Sequence, residues 1–410
     1  MTTAHEAAPG RCVPQPGGTT LLADYRPGGS ASFFAGPRRT LLAEGVRARV
    51  PHGSAPLAGR VAETLRAARG SGGSGEGAGA ANPVVVGAVP FDHHAPAQLF
   101  VPSRVRWAGP LREDPLLAFP APEPAPVAWR VRPVPAPGEY EAAVAAAVAR
   151  MQAGGLGKAV LARTLELTAE PGSVDVPGML HRLARRDPHG YTFATPAGEG
   201  RTLIGASPEL LVSRRGGLVT ANPLAGSAPR SADLAEDVRR AAALLESPKD
   251  LHEHAVVVDA VREALAPLCR NLHVPERPTL VRTAAMWHLS TTVTGEPAGP
   301  SVTALDLATA LHPTPAVCGT PTDAARAFIR QVEPFDRGLY TGVVGWGDAS
   351  GDGEWVVTIR CAEADAGSLR LFAGAGVVAG SRPEAELAET SAKFETFLHA
   401  VGADGTGHRA

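Results

Sequence analysis

A chain of 410 residues, 44% hydrophobic and 20% charged, can bury a large core, and its length alone suggests roughly two to three domains. Its formal charge of −2 is dispersed, with no basic stripe for nucleic acid and no polybasic segment for a membrane surface. No run approaches the roughly 18 apolar residues of a membrane span, and residues 1–11 carry neither a basic leader nor a signal-like apolar stretch.

A cytoplasmic protein working on a small molecule is the expectation that remains. Cys12, Cys269, Cys318 and Cys361 are scattered without a C-x-x-C pair, so neither a disulfide framework nor a zinc knuckle is indicated. Of 39 lysines and arginines, only Lys158, Lys249 and Lys393 are lysine. A GC-rich genome favours arginine everywhere, but a buried lysine can lose its proton where arginine cannot, so a general-base position resists replacement by Arg.

In chain order, residues 1–10 are polar or small and are expected to be a disordered tail, as are 403–410. Residues 70–81, reading GSGGSGEGAGAA, are expected to form a flexible loop. Proline-rich segments near 120–126 and 133–137 then separate an N-terminal portion, 11–135, from a more regular one, 136–402. Tyr140, Val144, Val148 and Met151 recur at helical spacing until Gly154-Gly155 ends the run. KAVLARTLEL follows as a buried strand with Lys158 near its start. Further strands are expected at TLIGA, LLVSR, GLVTAN, YTGVVGWG, EWVVTIRCAE and SLRLFAGAGVV, with helices near 248–265 and 383–401. This order suits a mixed α+β fold better than a regular βαβ series.

In SPKDLHEHAVVVDAVREAL, Ser247 is placed as N-cap, Pro248 at the first helical position and Asp250 as a capping acid. Glu253 falls on the face of Val257, Ala260 and Ala264, which turns a carboxylate toward the core, where it needs a cation or strong hydrogen bonds. SRPEAELAETSAKF repeats the pattern, with Ser381 and Glu384 at capping-box spacing and Glu386, Glu389 and Lys393 along one face. Alone, the second helix reads as a solvated face with a Glu389–Lys393 pair worth about 0.2–0.5 kcal/mol. Two acidic helices together suggest the oxygen ligands that Mg²⁺ prefers. His252 and His254 lack H-E-x-x-H spacing, which argues against zinc. FAGAGVVAGS departs from G-x-G-x-x-G, so Gly374, Gly376 and Gly380 are expected at a strand end, their amides free to approach an anion.

The strings KAVLAR, IGASPELLVSR, PLAGS, SPKDLHEH, MWHLSTTVTG, LHPTPAVCGTP, EPFDRGLYTGVVGW, GEWVVTIRCAE, FAGAGVVAGS and ETSAK run in this order from Lys158 to Lys393, and PFDHHAPAQLFVP precedes them. Together they resemble the chorismate-binding family, which contains isochorismate, salicylate, anthranilate and aminodeoxychorismate synthases. The resemblance implies a single α+β domain over residues 11–402, built of two packed, mostly antiparallel β-sheets flanked by helices, and allows a monomer. It further implies that Glu253 and Glu389 bind Mg²⁺, with Asp250 and Glu386 supporting through water, and that Tyr340, Arg360, Gly376 and Lys393 hold substrate carboxylates. Chorismate is a dianion, and a metal, an arginine fork and an ammonium offset charge that four acids would otherwise repel.

Members that add water resemble this chain in having a lysine at the Lys158 position as general base, and Glu209 matches the family's general acid. Working near neutral pH, the pair needs a neutral Lys158 and a protonated Glu209, and desolvation pushes both that way. Leu224, Gly226 and Ser227 match the loop beside the leaving hydroxyl, and His288 matches a residue near the ring. Ala316 resembles the small residue of dedicated isochorismate synthases where salicylate synthases tend to carry Thr. The expected activity is therefore isochorismate synthase, an isomerase serving siderophore or menaquinone biosynthesis. A salicylate synthase and a non-catalytic chorismate-binding protein are the alternatives.

Overall fold

The structure, a computed structural model, describes residues 17–70, 82–124, 127–170 and 172–403. The expected tails at 1–10 and 404–410, Cys12 and nearly all of the 70–81 loop lie outside these residues. Ala403, expected to begin a tail, is buried. No helix among the described residues is long and apolar enough to cross a membrane, and Cys269, Cys318 and Cys361 are buried free thiols.

Two large sheets dominate, one of ten strands and one of nine. Lys158–Glu170, the longest strand, pairs antiparallel with Ser368–Val377 over ten residues and carries Ala128–Val134 along its other side. The N-terminal portion is woven into both sheets. Ala31–Ala35 pairs with Tyr191–Gly198 in one sheet, and Val84–Val89 pairs with Val343–Asp348 in the other. Alternate residues of each strand face opposite layers. Leu203 packs between the sheets while Ile204 points to the outer helices, and Val356 points inward while Trp355 and Val357 point out. Because both faces are covered, these strands read in sequence as continuous apolar runs.

Helices Val176–Arg186 and Pro383–Ala400 cover one outer face, and Leu57–Gly70, Pro248–Leu265 and Ala304–Leu311 cover the other. The result is the expected α+β fold. Pro248–Leu265 starts as the sequence predicts, with Ser247 Oγ accepting from the Asp250 amide. Its buried stripe runs Glu253, Val257, Val261 and Leu265, a step away from the predicted Ala260 and Ala264. The second helix departs further. Its N-cap is Arg382, and Ser381 Oγ turns back to accept from the Val378 amide, so the Ser381–Glu384 capping box does not form.

The predicted EWVVTIRCAE strand is divided in two. Gly353–Val357 belongs to one sheet and Cys361–Ala364 to the other, and the chain crosses between them with Arg360 at φ +48°. Similarly, Tyr340–Gly342 of the predicted YTGVVGWG strand forms a turn, with Thr341 at φ +55°. Left-handed backbone at non-glycine residues costs energy and marks sites held by their surroundings.

Between the sheets, Gly205 sits directly opposite Phe193, where a Cβ would fall 2.3 Å from the ring. Phe193→Ala would empty this fully buried position, and we expect a loss of about 3–5 kcal/mol of unfolding free energy by urea denaturation.

Candidate active site

The sheet crossing, the two acidic helices and the glycine-rich end of Ser368–Val377 converge on one cavity of about 210 Å³. Of the residues singled out in the sequence, Glu209, Leu224, Gly226, Ser227, Asp250, Glu253, His288 and Ala316 line it. Tyr340, Arg360, Gly376, Glu389 and Lys393 complete that set. Lys158 and Glu386 stand immediately behind the wall, each joined to a lining residue. Lys158 Nζ donates to Glu253 Oε1 at 2.8 Å, and Glu386 Oε1 accepts from Lys249 Nζ at 3.3 Å.

All three lysines of the chain therefore meet predicted metal-binding acids, since Lys393 Nζ lies 2.6 Å from Glu389 Oε1 and also donates to the Gly374 carbonyl. Asp250 is held by Ser247 Oγ at 2.5 Å. Burial of Glu253 is outweighed by the cations around it, Lys158 foremost, so its carboxyl sits below the usual range. Burial pushes Asp250 and Glu386 the other way, and the neighbouring carboxylates Glu253 and Glu389 add to the rise. Four acids thus feel one another across a small space.

Glu209 is fully enclosed. Burial raises its carboxyl from 4.5 to about 7, against the opposing pull of the Leu224 amide, Lys158, Lys393 and Arg360. Arg360 is buried too, which lowers it to about 10, and its guanidinium makes no salt bridge among the described residues. A buried guanidinium without a carboxylate of its own suits an anionic ligand. Burial, with Arg360 and Lys393 nearby, keeps His288 neutral, and its Nδ1 lies 2.7 Å from Ser227 Oγ while its buried Nε2 has no partner among the described residues.

The glycines give space more than amides. Gly374 and Gly376 lie within the strand, paired with Ala162 and Val160. A Cβ at Gly376 would lie 2.4 Å from Glu253 Oε1, and one at Gly374 would lie 2.8 Å from the Tyr340 hydroxyl. Tyr340 stacks on Phe372 at 4.9 Å and 10°. Sequence reasoning missed Val160, Val317, Thr341, Ile359 and Phe372 as wall residues. All five lie inside the matched strings, and that is the signal that could have pointed to them. His254, set aside as a zinc ligand, is structural, meeting the Ala225 carbonyl and Thr291 Oγ1.

The chain is a member of the chorismate-binding enzyme family, whose model, described as chorismate binding enzyme, matches residues 118–402. Isochorismate synthase DhbC of Bacillus subtilis is 55% identical over 395 residues, covering 94% of this chain and 96% of that one. The vibriobactin-specific isochorismate synthase of Vibrio cholerae is 46% identical, covering 78% and 80% of the two chains. A crystal structure assigned to a 2,3-dihydroxybenzoate-specific isochorismate synthase of Bacillus anthracis is 49% identical with a TM-score of 0.86, covering 94% of this chain and 100% of that one.

The raised carboxyl of Glu209 has a thermodynamic signature. Because the folded state binds this proton more tightly than the unfolded chain, its contribution is fully present below pH 4.5 and is lost as pH rises through about 7. The unfolding free energy of the protein minus that of Glu209→Gln should fall across this window and level off above it, as measured by urea denaturation at a series of pH values. A flat difference would place Glu209 in a solvated setting.

Proposed function

We propose that the protein is an isochorismate synthase, which converts chorismate reversibly to isochorismate with Mg²⁺ as cofactor, in a single domain spanning 11–402. One observation carries the chemistry: a fully buried Glu209, poised near neutral pH, faces the same cavity as an unpaired Arg360 and lies within the field of Lys158. An acid of this kind can give a proton to a departing hydroxide at pH 7.

The acidic residues suit a hard cation. Among the described residues no three His, Cys, Asp or Glu groups are already gathered as a metal cluster, but the donors are all carboxylate oxygens, the hard ligand type that Mg²⁺ prefers. Burial, with Glu253 and Glu389 adding to it, raises Asp250 and Glu386, and a nearby positive charge would relieve that rise. Glu253 and Glu389 would hold the ion, with Asp250 and Glu386 supporting it through water. Bound there, Mg²⁺ supplies charge neutralisation for a substrate carboxylate.

Arg360, Tyr340, Gly376 and Lys393 hold the two carboxylates of chorismate. Lys158, joined to Glu253 at 2.8 Å, is the general base. It accepts a proton from water as the oxygen attacks C2. The ring double bonds shift, the C4–O bond breaks, and Glu209 protonates the leaving hydroxyl beside Leu224, Gly226 and Ser227. Neutral His288 lies against the ring and can offer Nε2–H as a donor. Ala316 leaves the wall small, which favours release of isochorismate over the pyruvate elimination of a salicylate synthase. Similarity to relatives named for 2,3-dihydroxybenzoate and vibriobactin supports a siderophore branch, and a cytoplasmic setting is proposed with it.

Incubation of the purified protein with chorismate and Mg²⁺ in ¹⁸O-water should give isochorismate labelled at the C2 hydroxyl. Salicylate and pyruvate as main products would overturn the assignment, and absence of turnover with retained chorismate binding would make the protein a non-catalytic binder. EDTA should abolish turnover and excess Mg²⁺ restore it. Lys158→Arg and Glu209→Gln should each lower kcat by about 10²–10⁴, and near-normal turnover in either would remove that residue from its role.

A further inference from the structure

The EPFDRG string contributes none of the residues assigned above, yet it contains the most completely satisfied buried ion pair in the described chain. Arg337 and Glu333 have side chains 2% and 3% exposed. Arg337 Nε and Nη2 grip the two oxygens of Glu333 at 2.8 and 2.5 Å. Nη2 also donates to the Val160 carbonyl at 2.7 Å, while Nη1 donates to the Val317 carbonyl at 2.8 Å and to Thr341 Oγ1 at 3.3 Å. All five guanidinium N–H donors are thereby used. Glu333 Oε1 in turn accepts from the Ala162 amide at 2.8 Å.

The destinations of these bonds matter. Val160, Val317 and Thr341 come from three separate segments, and each lines the substrate cavity. Neither Arg337 nor Glu333 lines it. Thr341 holds left-handed backbone that a β-branched residue resists. Its amide donates to the Thr358 carbonyl at 2.7 Å, its carbonyl accepts from His312 Nε2 at 2.7 Å, and its hydroxyl donates to the Tyr340 carbonyl at 2.6 Å. His312 is fixed behind it, its Nδ1 lying 2.6 Å from His93 Nε2.

We propose that the Arg337–Glu333 pair is the positioning element of this active site, locking three wall segments into one register and holding Thr341, and with it Tyr340, against its conformational preference. The proposal rests on the reading of the protein as an isochorismate synthase. Lysine at 337 keeps the charge but offers three donors without the planar fork, so it cannot serve all three segments.

Arg337→Lys and Glu333→Gln should therefore lower kcat for chorismate at least tenfold at a temperature where near-UV circular dichroism shows the variant folded. KM should change much less. Hydrogen exchange in peptides spanning 158–163, 314–319 and 338–343 should rise together, whether or not chorismate turns over. Glycine adopts positive φ without penalty, so the kcat loss caused by Arg337→Lys should be at least threefold smaller in a Thr341→Gly background. Wild-type turnover reports on the proposed reaction, and the ratio of variant to wild type reports on the clamp. A kcat within twofold of wild type in both variants, unchanged exchange in the three peptides, or an equal loss in the glycine background would each overturn the proposal.

Discussion

Charge balance in one small cavity is the constraint on which the rest of this molecule depends. Lys158 is 2% exposed and its partner Glu253 11%, so each ion has given up most of its hydration and leans on the other. A buried pair of this kind rarely adds net stability, because desolvation costs as much as the attraction returns. Its presence at the centre of the fold points to chemistry. Two less buried lysine–glutamate pairs stand beside it: Lys249–Glu386, whose lysine is 44% exposed, and Lys393–Glu389. A divalent cation and a dianionic substrate entering together add no net charge, so the proposed ligands can replace these contacts without leaving the cavity charged.

The two-sheet fold makes that cavity available. Strands that stayed in one sheet would bury Arg360 in a ladder. The crossing from Gly353–Val357 to Cys361–Ala364 instead leaves its side chain at the gap between sheets, where Glu209 also emerges after Arg201–Ser207. Glu209 is tied to this crossing through its carbonyl, which accepts from the Val357 amide. The proposed acid Glu209 and the proposed anion-binding Arg360 are thus carried by adjacent backbone.

Much of this was legible in the sequence because motif spacing and helical periodicity are local properties. Pro248–Leu265 and its serine cap follow from a few neighbouring residues, and so does the inward face of Glu253. The strand break at Arg360 was not legible, because β-branched residues in EWVVTIRCAE favour continuing the strand and only tertiary contacts force the turn. Ser381 illustrates the same limit, since a nearby amide captured the hydroxyl that spacing assigned to the helix. Thr341 and the Arg337–Glu333 pair stayed hidden for another reason. Their role depends on three segments brought together by folding, and no single string contains it.

Glu209 shows how the balance of charge extends to protonation. Its high proton affinity comes from burial, and Lys158, Lys393 and Arg360 moderate it by favouring the anion. A bound dianion would occupy Arg360 and Lys393 and cancel much of their effect. The carboxyl would then keep its proton more firmly in the complex than in the free protein. In the proposed reaction, an acid that gains its proton as substrate arrives would be loaded when the C4 hydroxyl has to leave. Reversal of the reaction needs the same group as a carboxylate that accepts a proton, which a pKa near the working pH permits with little cost in either direction.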